Sequence, residues 1–255
     1  MAMLDILDHD HGIRELRLNR PPVNALDPAL IASLRHAIEH APREGAQALV
    51  ISGSPGMFSA GLDVPALLQL DRNAMCAFWV DFLGVCATLA RSPVPSAAAI
   101  TGHSPAGGAV IALFCDYRVL TRGAFRIGLN EVRVGLAVPD QVGHALRRLV
   151  GARRAERMLV EGAMVEPDQA LASGLVDELA DIDFVVQRAR DWLAGLLQLP
   201  RHAMLATRRR ARADLIGLFE DPSALTAESL LDTWFAPEAQ ATLRAMVENL
   251  KARQR

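Results

Sequence analysis

The chain has 255 residues, of which 51% are hydrophobic and 22% are charged, and its formal net charge is −2. This apolar fraction is ample for a large core and excludes a largely disordered chain, while the near-zero charge disfavours a nucleic-acid or anionic-membrane surface as the main partner. The three cysteines, Cys76, Cys86 and Cys115, form no Cys-x-x-Cys pair. They are predicted to be reduced core thiols of a cytoplasmic protein.

Several other classes of site are also disfavoured. Lys251 is the only lysine, so a phosphate loop of the Gly-x-x-x-x-Gly-Lys type is absent and a Schiff-base lysine is not expected. No Gly-x-Gly-x-x-Gly follows a predicted strand, which disfavours a dinucleotide site. Prolines and a glycine interrupt the apolar stretch at 93–105, and the first ten residues are acidic, so neither a membrane helix nor a secretory signal is predicted.

Strands and helices alternate through the first half of the chain. Strands are predicted, in chain order, at 12–19, 46–52, 95–101 and 115–121. Asp27 followed by Pro28 is a typical helix start, and that helix runs to about His40. A second, longer helix is predicted over 72–90. This order predicts an α/β fold with a mainly parallel sheet and helical crossovers.

Helical patterns dominate after about Pro139, apart from a short strand-like segment at 174–179. From Asp183 to the end only amphipathic helices are predicted, with breaks at the three prolines Pro200, Pro222 and Pro237. We therefore expect a core domain over 1–195. A C-terminal helical region over 196–255 is expected to serve in oligomerisation and to cover the active site.

One motif suggests a zinc site. His36, Glu39 and His40 match a His-x-x-Glu-His pattern, which would place both histidines on one helix face. Pro42 ends the helix two residues later, and no downstream acidic helix offers an obvious third ligand. A polar helix end is the favoured interpretation, and no metal is expected.

A second motif suggests a serine hydrolase. Gly102-His-Ser104-Pro-Ala106 resembles the Gly-x-Ser-x-Gly turn that carries a nucleophilic serine. In that turn the residue after the serine donates its backbone N–H to the oxyanion, and here that residue is Pro105, which has no N–H. A helix start is favoured instead, with Ser104 as its cap and Pro105 in its first turn.

The third pattern consists of four segments that follow one another along the chain. They are 19–26 (NRPPVNAL), 58–63 (FSAGLD), 102–116 (GHSPAGGAVIALFCD) and 127–132 (IGLNEV). Together they resemble the crotonase, or enoyl-CoA hydratase/isomerase, superfamily. Within it, their residues are similar to those of the mitochondrial-type delta-3, delta-2-enoyl-CoA isomerases. The resemblance covers nearly the whole chain. It implies a crotonase-like spiral of βαβ units with a C-terminal helical region, an acyl-CoA substrate, and trimers or pairs of trimers.

The chemistry of such enzymes needs hydrogen-bond donors for an enolate oxygen and a base near the α-carbon of a thioester. By motif position the resemblance maps the two donors to the backbone N–H groups of Leu62 and Gly107, and the base to Glu131. Gly61 allows the chain to bend before the first donor, and a helix N-terminus favours an anion at the second.

We also expect an apolar environment for Glu131. Three apolar neighbours in sequence, Ile127, Leu129 and Val132, are predicted to form a wall that raises the pKa of this carboxyl.

The resemblance also indicates which reaction to expect. Hydratases of the family carry a second glutamate three residues beyond the oxyanion glycine, and here that position is Val110. A valine cannot orient water, whereas a double-bond shift needs one carboxylate, so isomerisation of a 3-enoyl-CoA to a 2-enoyl-CoA is predicted. Asp140 is a candidate second acid, with a loop or capping role as the alternative. A hydratase or another acyl-CoA reaction of the same fold, and a catalytically silent oligomeric binding protein, remain open alternatives.

Binding of coenzyme A is the least determined part. The family often has a lysine after the Ala60–Leu62 loop, and Pro65 stands there in this chain. Arginines of a C-terminal helix, Arg208 first among Arg209, Arg210 and Arg212, are candidate phosphate ligands, with a solvated helix face as the alternative. The remaining predicted substrate-binding residues are Ala60, Gly61, Asp63, Gly108 and Val110. No cofactor is expected beyond the coenzyme A of the substrate.

Overall fold

The computed structural model describes residues 3–220 and 228–253. The strands are β1 (Leu4–His9), β2 (Ile13–Leu18), β3 (Ala48–Ser52), β4 (Gly56–Met57), β5 (Ser96–Ile100), β6 (Gly102–Pro105), β7 (Tyr117–Thr121), β8 (Ile127–Gly128), β9 (Met164–Val165) and β10 (Glu178–Ala180). The helices are α1 (Pro28–His40), α2 (Val64–Leu67), α3 (Arg72–Arg91), α4 (Gly107–Leu113), α5 (Asp140–Val150), α6 (Ala152–Glu161), α7 (Pro167–Ser173), α8 (Val185–Leu197), α9 (Arg201–Ala211), α10 (Ala213–Gly217), α11 (Glu228–Phe235) and α12 (Pro237–Arg253).

The main sheet has the strand order β1-β2-β3-β5-β7-β10. All neighbours pair in parallel except β1 and β2, which form an antiparallel pair. The mainly parallel sheet with helical crossovers is therefore confirmed. Strand β1 was not predicted from the sequence, because acidic residues interrupt its apolar ones.

A second, smaller sheet has the order β4-β6-β8-β9. Three of its strands, β4, β6 and β8, follow β3, β5 and β7 along the chain within a few residues, so each turn of the fold passes through both sheets. Within this sheet β4 and β6 approach closely where Gly56 pairs with Gly102, since a Cβ on Gly102 would lie 1.9 Å from the carbonyl carbon of Gly56. Only glycine fits there.

The helix predicted to begin at Ser104 and Pro105 is wrong in its start. These residues belong to β6, where Ser104 N donates to Arg126 O at 2.9 Å, and the helix α4 begins at Gly107. Ala106 precedes it with φ 45° and ψ −119°, which turns the chain from strand to helix. Ser104 is not a helix cap, and its buried Oγ has no partner in the described part of the chain. Sheet pairing with β8 overrides the local helix-start signal.

Helices cover both faces of the main sheet. Along β3, Leu49 and Ile51 point into the large core that includes α1, α3 and α4, while Ala48 and Val50 face α8 through Ala189 and its neighbours. This alternation explains why the strand is apolar throughout, since both of its faces are buried.

The long helix α3 has an apolar composition. Of the helices in the described ranges, it alone is long and apolar enough to cross a membrane, but 61% of its most apolar window is buried inside the protein. The prolines that disfavour a membrane helix lie beyond it, at 93 and later, so they do not interrupt α3. Its burial is typical of a core helix.

The C-terminal helices return to the body of the protein. Trp234 of α11 is fully buried and meets Trp79 of α3 edge-on, with ring centroids 6.3 Å apart. Pro200 immediately precedes α9 and Pro237 begins α12, as predicted. The predicted break at Pro222 lies outside the described residues.

Candidate active site

A cavity lies between the loop at Ala60–Leu62, the start of α4, the segment at 130–139 and the C-terminal helices α11 and α12. Its empty volume, including the open mouth, is about 860 Å³. The large apolar side chains that line it are Leu62, Val64, Trp79, Phe82, Val110, Val134, Leu136, Leu230 and Met246. The predicted site residues Ala60, Leu62, Gly107, Val110 and Glu131 all line it as well.

Leu62 carries a free backbone donor at this cavity. Five of the six N–H groups in the segment 58–63 have an acceptor. Phe58 and Ser59 donate to His103 O, and Ala60 donates to Val23 O. Gly61 donates to Ser59 Oγ, and Asp63 donates to Leu26 O. Leu62 N has no acceptor among the described residues. The loop therefore satisfies its own polar groups and leaves one donor for a ligand.

Gly107 supplies a second free donor. It is the first residue of α4, so its N–H has no partner within the helix, and no acceptor in the described ranges replaces one. Gly61, with φ +82°, lies close by, since a Cβ on it would be 3.3 Å from Gly107 N. Two glycines thus allow the two segments to approach each other and bring both donors to one cavity.

Glu131 begins a 3-10 turn, Glu131–Val134, and its side chain lines the cavity. Its Oε2 is buried and has no partner in the part of the chain that the structure describes. Burial raises the pKa of this carboxyl to about 7. The group can therefore hold or release a proton near neutral pH, as a proton-transfer catalyst must.

The apolar wall around Glu131 differs from the one predicted. Ile127 and Leu129 are buried in the core but do not line the cavity, and Val132 is 40% exposed. The wall comes instead from the residues just after Glu131, such as Val134, and from distant helices. Ile127 belongs to β8 and packs into the core, and Val132 is an exposed residue of the 3-10 turn, so nearness in sequence does not bring them to the carboxyl.

The candidate second acid is not brought to the cavity. Asp140 is an exposed residue in the first turn of α5, where a carboxylate interacts favourably with the helix dipole, and its neighbour Pro139 lines the cavity in its place. Val110 lies one turn after Gly107 on α4 and presents a methyl-bearing surface to the cavity.

Two further predicted binding residues have structural contacts. Asp63 caps α2 by accepting from Ala66 N at 3.0 Å and forms an ion pair with Arg20. Gly108 packs against the 58–63 segment, and a Cβ on it would lie 2.9 Å from Ser59 O. Neither residue lines the cavity.

Arg208 is not positioned at the cavity. Its guanidinium lies in a largely buried cluster with Asp116, at 2.8 Å, and Arg212 binds the same carboxylate at 2.9 Å. Burial acts to raise the pKa of Asp116, whereas the positive charges of the two arginines lower it. The arginines have the larger combined effect, so this pKa lies below its usual value. These two arginines link α9 to the end of α4, while Arg209 and Arg210 are exposed.

The histidines of the zinc-like motif are also engaged elsewhere. The rings of His36 and His40 stack at 3.9 Å, and Glu39 binds Arg35 at 3.1 Å. No cluster of three metal-ligating side chains occurs within the described ranges. The arrangement fits the polar helix end that the sequence favoured.

Several lining residues were not found from the sequence. Trp79, Phe82, Thr233 and Met246 reach the cavity from helices far away along the chain, and no local signal marks them. Asn130 lies beside Glu131 in the motif, and its buried Oδ1 has no partner among the described residues. Its adjacency to the predicted base was the one usable signal.

Comparison with known proteins gives three findings. The family model described as enoyl-CoA hydratase/isomerase matches residues 8–253. Mitochondrial enoyl-CoA delta isomerase 1 of Homo sapiens is 30% identical over 250 residues, covering 96% of this chain and 82% of that protein. A probable enoyl-CoA hydratase of Mycobacterium avium (strain 104) is 33% identical over 217 residues, covering 84% of this chain and 82% of that protein.

Among solved structures, the crystal structure of human mitochondrial delta3-delta2-enoyl-CoA isomerase matches with a TM-score of 0.93, at 27% identity and with 100% of each chain covered. The match extends over both sheets and the C-terminal helices. The predicted crotonase-type α/β fold is therefore confirmed.

Proposed function

The chain belongs to the enoyl-CoA hydratase/isomerase family, and on that premise we propose that it converts 3-enoyl-CoA thioesters to trans-2-enoyl-CoA. Family membership makes it a crotonase-type acyl-CoA enzyme. One observation favours isomerisation: Glu131 is the only carboxylate among the described residues that line the cavity, and it shares that cavity with the free N–H groups of Leu62 and Gly107.

The proposed reaction moves one proton between two carbons of the acyl chain. Glu131 takes a proton from C2, the C2–H bond breaks, and its electron pair delocalises onto the thioester oxygen. The N–H groups of Leu62 and Gly107 stabilise that oxyanion, and one such donor typically contributes about 3–4 kcal/mol to the transition state. The enolate then collapses as Glu131 returns the proton to C4. The double bond moves from C3–C4 to C2–C3 with no net gain or loss of atoms.

The apolar lining supports this proposal in two ways. It raises the pKa of Glu131 to about 7, so that both its acid and base forms are populated at neutral pH. It also suits an acyl chain, because Trp79, Phe82 and Met246 offer apolar surface and little that would retain water. Val110 fits the same role, since a second carboxylate at this position would favour a bound water.

For the phosphates of coenzyme A we propose a different helix from the one predicted. Arg244 and Lys251 of α12 line a surface groove together with Pro65, at the position where the family often has a lysine. Two cations from α12 would thus replace that side chain. Lys251→Ala is expected to raise KM for the thioester severalfold while leaving kcat unchanged.

The assay is direct. Purified protein is incubated with a 3-enoyl-CoA, and the absorbance of the conjugated 2-enoyl thioester is followed together with product analysis. Rapid formation of 2-enoyl-CoA with little 3-hydroxyacyl-CoA is the expected result. A protein that processes neither a 3-enoyl-CoA nor a 2-enoyl-CoA would point to the silent binding protein and contradict the proposal.

Hydration of 2-enoyl-CoA is the second candidate, and Asn130 is the observation that favours it. Its Oδ1 is buried and has no partner within the described residues, and Asn130 lines the same cavity as Glu131, so the two side chains offer two acceptors for water there. The same assay run from 2-enoyl-CoA distinguishes the two reactions, because hydration removes the conjugated absorbance.

A further inference from the structure

The Leu62 donor depends on a contact between two segments that lie far apart in sequence. Leu26 donates its N–H to Gly61 O at 2.8 Å and accepts the N–H of Asp63 at 3.0 Å. Leu62 lies between Gly61 and Asp63, and these two hydrogen bonds hold it with its own N–H turned away from Leu26. The orientation of the donor is thus fixed by the segment 20–27, which we call the clasp.

Arg20 stabilises the clasp through ion pairs with Asp27 and Asp63. Its Nε lies 2.9 Å from Asp27 Oδ2, one terminal nitrogen lies 2.5 Å from Asp63 Oδ2, and the other donates to Ala25 O at 3.1 Å. The side chains are shielded, with exposed fractions of 26% for Arg20, 17% for Asp27 and 13% for Asp63. Each carboxylate also caps a helix, α1 in one case and α2 in the other.

We infer that Arg20 is a positioning residue, which holds the Leu62 N–H at the oxyanion through Asp63 while touching no substrate itself. This inference rests on the function proposed above. Arg20 does not line the cavity, so a direct contact with the acyl group is not part of its role.

The chemistry of the clasp explains why arginine is needed. The planar guanidinium places three donors in fixed directions on two carboxylates and a carbonyl, which a lysine ammonium cannot reproduce. Without the cation, Asp27 and Asp63 would be two shielded like charges and would repel each other. Because Asp63 directly follows Leu62, separation of the carboxylates would displace the donor peptide.

Displacement of this donor should affect the transition state more than substrate binding. Charge on the thioester oxygen develops only as the enolate forms, so a misplaced N–H weakens an interaction that is strongest in the transition state. A misplacement of about 1 Å can cost about 100-fold in rate. We therefore expect an effect on kcat with KM nearly unchanged.

The test compares Arg20→Gln and Arg20→Lys with Arg35→Gln in the full-length enzyme. Arg35 is a matched control, because its side chain is 33% exposed and also binds two carboxylates, Glu39 and Asp81, away from the cavity. Arg20→Gln should lower kcat by about 10- to 100-fold with KM within about twofold, Arg20→Lys should lower it less, and the control should leave both unchanged. The apparent pKa of the acidic limb of kcat should not move.

A double-mutant cycle with Asp63→Asn tests whether Arg20 acts through Asp63. The amide oxygen can still cap α2, but the ion pair is lost, so the single variant should resemble Arg20→Gln and the double variant should lose no further activity. Should Arg20→Gln not fold, Arg20→Lys and Asp63→Asn alone decide by the same split between kcat and KM.

Several outcomes overturn the inference. A higher KM at unchanged kcat would assign Arg20 to coenzyme A binding, and wild-type kinetics in folded Arg20→Gln would remove it from the site altogether. Independent, multiplicative losses in the cycle would contradict action through Asp63. A wild type that hydrates but does not isomerise would overturn the proposed reaction instead, and the same variants would then be compared on hydration, which uses the same oxyanion.

Discussion

A carboxyl group in an apolar cavity holds its proton more tightly than one in water, and this effect sets the chemistry of Glu131. The penalty falls on the ionised form, so the pKa rises to about 7. That Glu131 would lie at the cavity could be predicted from the motif around it. Its environment could not, because Trp79, Phe82 and Met246 reach the cavity from other helices and only the folded chain brings them together.

The pH dependence of activity follows from this pKa. Glu131 must be ionised to take a proton from C2, so kcat/KM should rise as the pH increases and level off above an apparent pKa near 7. Glu131→Gln should lower isomerisation by about 100-fold or more. The control is Glu156→Gln, on the exposed face of α6. A wild-type profile that is flat between pH 5 and 8 would contradict the assignment.

Raising the pH should lower the free energy of unfolding through Glu131, whereas it should raise the activity. The folded-state pKa of Glu131 lies above the unfolded value, so folding is favoured by protonation, and this contribution is lost as the pH rises through about 7. Glu131→Gln cannot ionise and should become the more stable protein at pH 8, by on the order of 3 kcal/mol relative to the difference at pH 4. Urea unfolding of both proteins at the two pH values measures this. If the stability difference between the two proteins were the same at both pH values, the Glu131 carboxyl would have to be exposed to water.

At the scale of elements, the beginning of α4 is decisive for the site. The sequence predicted a helix after β5, but the chain first pairs Ser104 with β8 and turns at Ala106 before α4 begins. A cap signal is local, whereas strand pairing requires a partner more than twenty residues away, so the local pattern was misleading. The position of Gly107 in the first turn was nevertheless predicted, since the motif places it there irrespective of the strand.

Helix α4 also offers a test of the reaction type. Val110→Glu would place a second carboxylate one turn after Gly107, beside the cavity that holds Glu131. Hydration of 2-enoyl-CoA should increase from its low level, and isomerisation should fall as the pKa of Glu131 is raised by the like charge. The variant should also lose stability, because it buries an ionisable group. Val110→Gln is the uncharged control. Rapid hydration by the wild type would show that Val110 does not decide the reaction.

The loop at Ala60–Leu62 gives a second test at this scale. Leu62→Pro removes one donor and keeps an apolar side chain, so turnover should fall by about 100- to 1,000-fold. Thermal unfolding must be measured in parallel, because proline strains a loop that follows Gly61. Leu62→Ala keeps the N–H and should retain most of the activity. Unchanged turnover in a folded proline variant would exclude this N–H as a donor.

At the scale of the whole molecule, Asp116 joins parts of the chain that are about ninety residues apart, through Arg208 and Arg212. Both arginines were candidate phosphate ligands, with a solvated helix face as the alternative, because an arginine run on a helix looks the same whether it faces a ligand, water or a buried acid. The parallel sheet and the order of its elements were predicted well, since they follow from local periodicity. Long-range charge partners leave no such local pattern.

This cluster should be costly to disrupt. Asp116→Asn would leave two shielded arginines without their shared counter-charge, and removing one partner of a buried ion pair typically costs about 3–5 kcal/mol. Asp232→Asn, which affects an exposed ion pair with Arg72, should cost less than about 1 kcal/mol. Denaturant unfolding compares the two. Equal losses would mean that the cluster is effectively solvated.

The seclusion of Glu131 also determines the fate of a single hydrogen atom. Its Oε2 is buried among apolar side chains, so a proton taken from the substrate has no ready route to bulk water before it is returned. In the proposed reaction, a 3-enoyl-CoA with two deuterons at C2 should therefore keep one at C2 and carry much of the other to C4 of the product, even in ordinary water. Mass spectrometry of the product measures that retention. Complete loss of the transferred deuteron would mean that solvent reaches the carboxyl within each turnover.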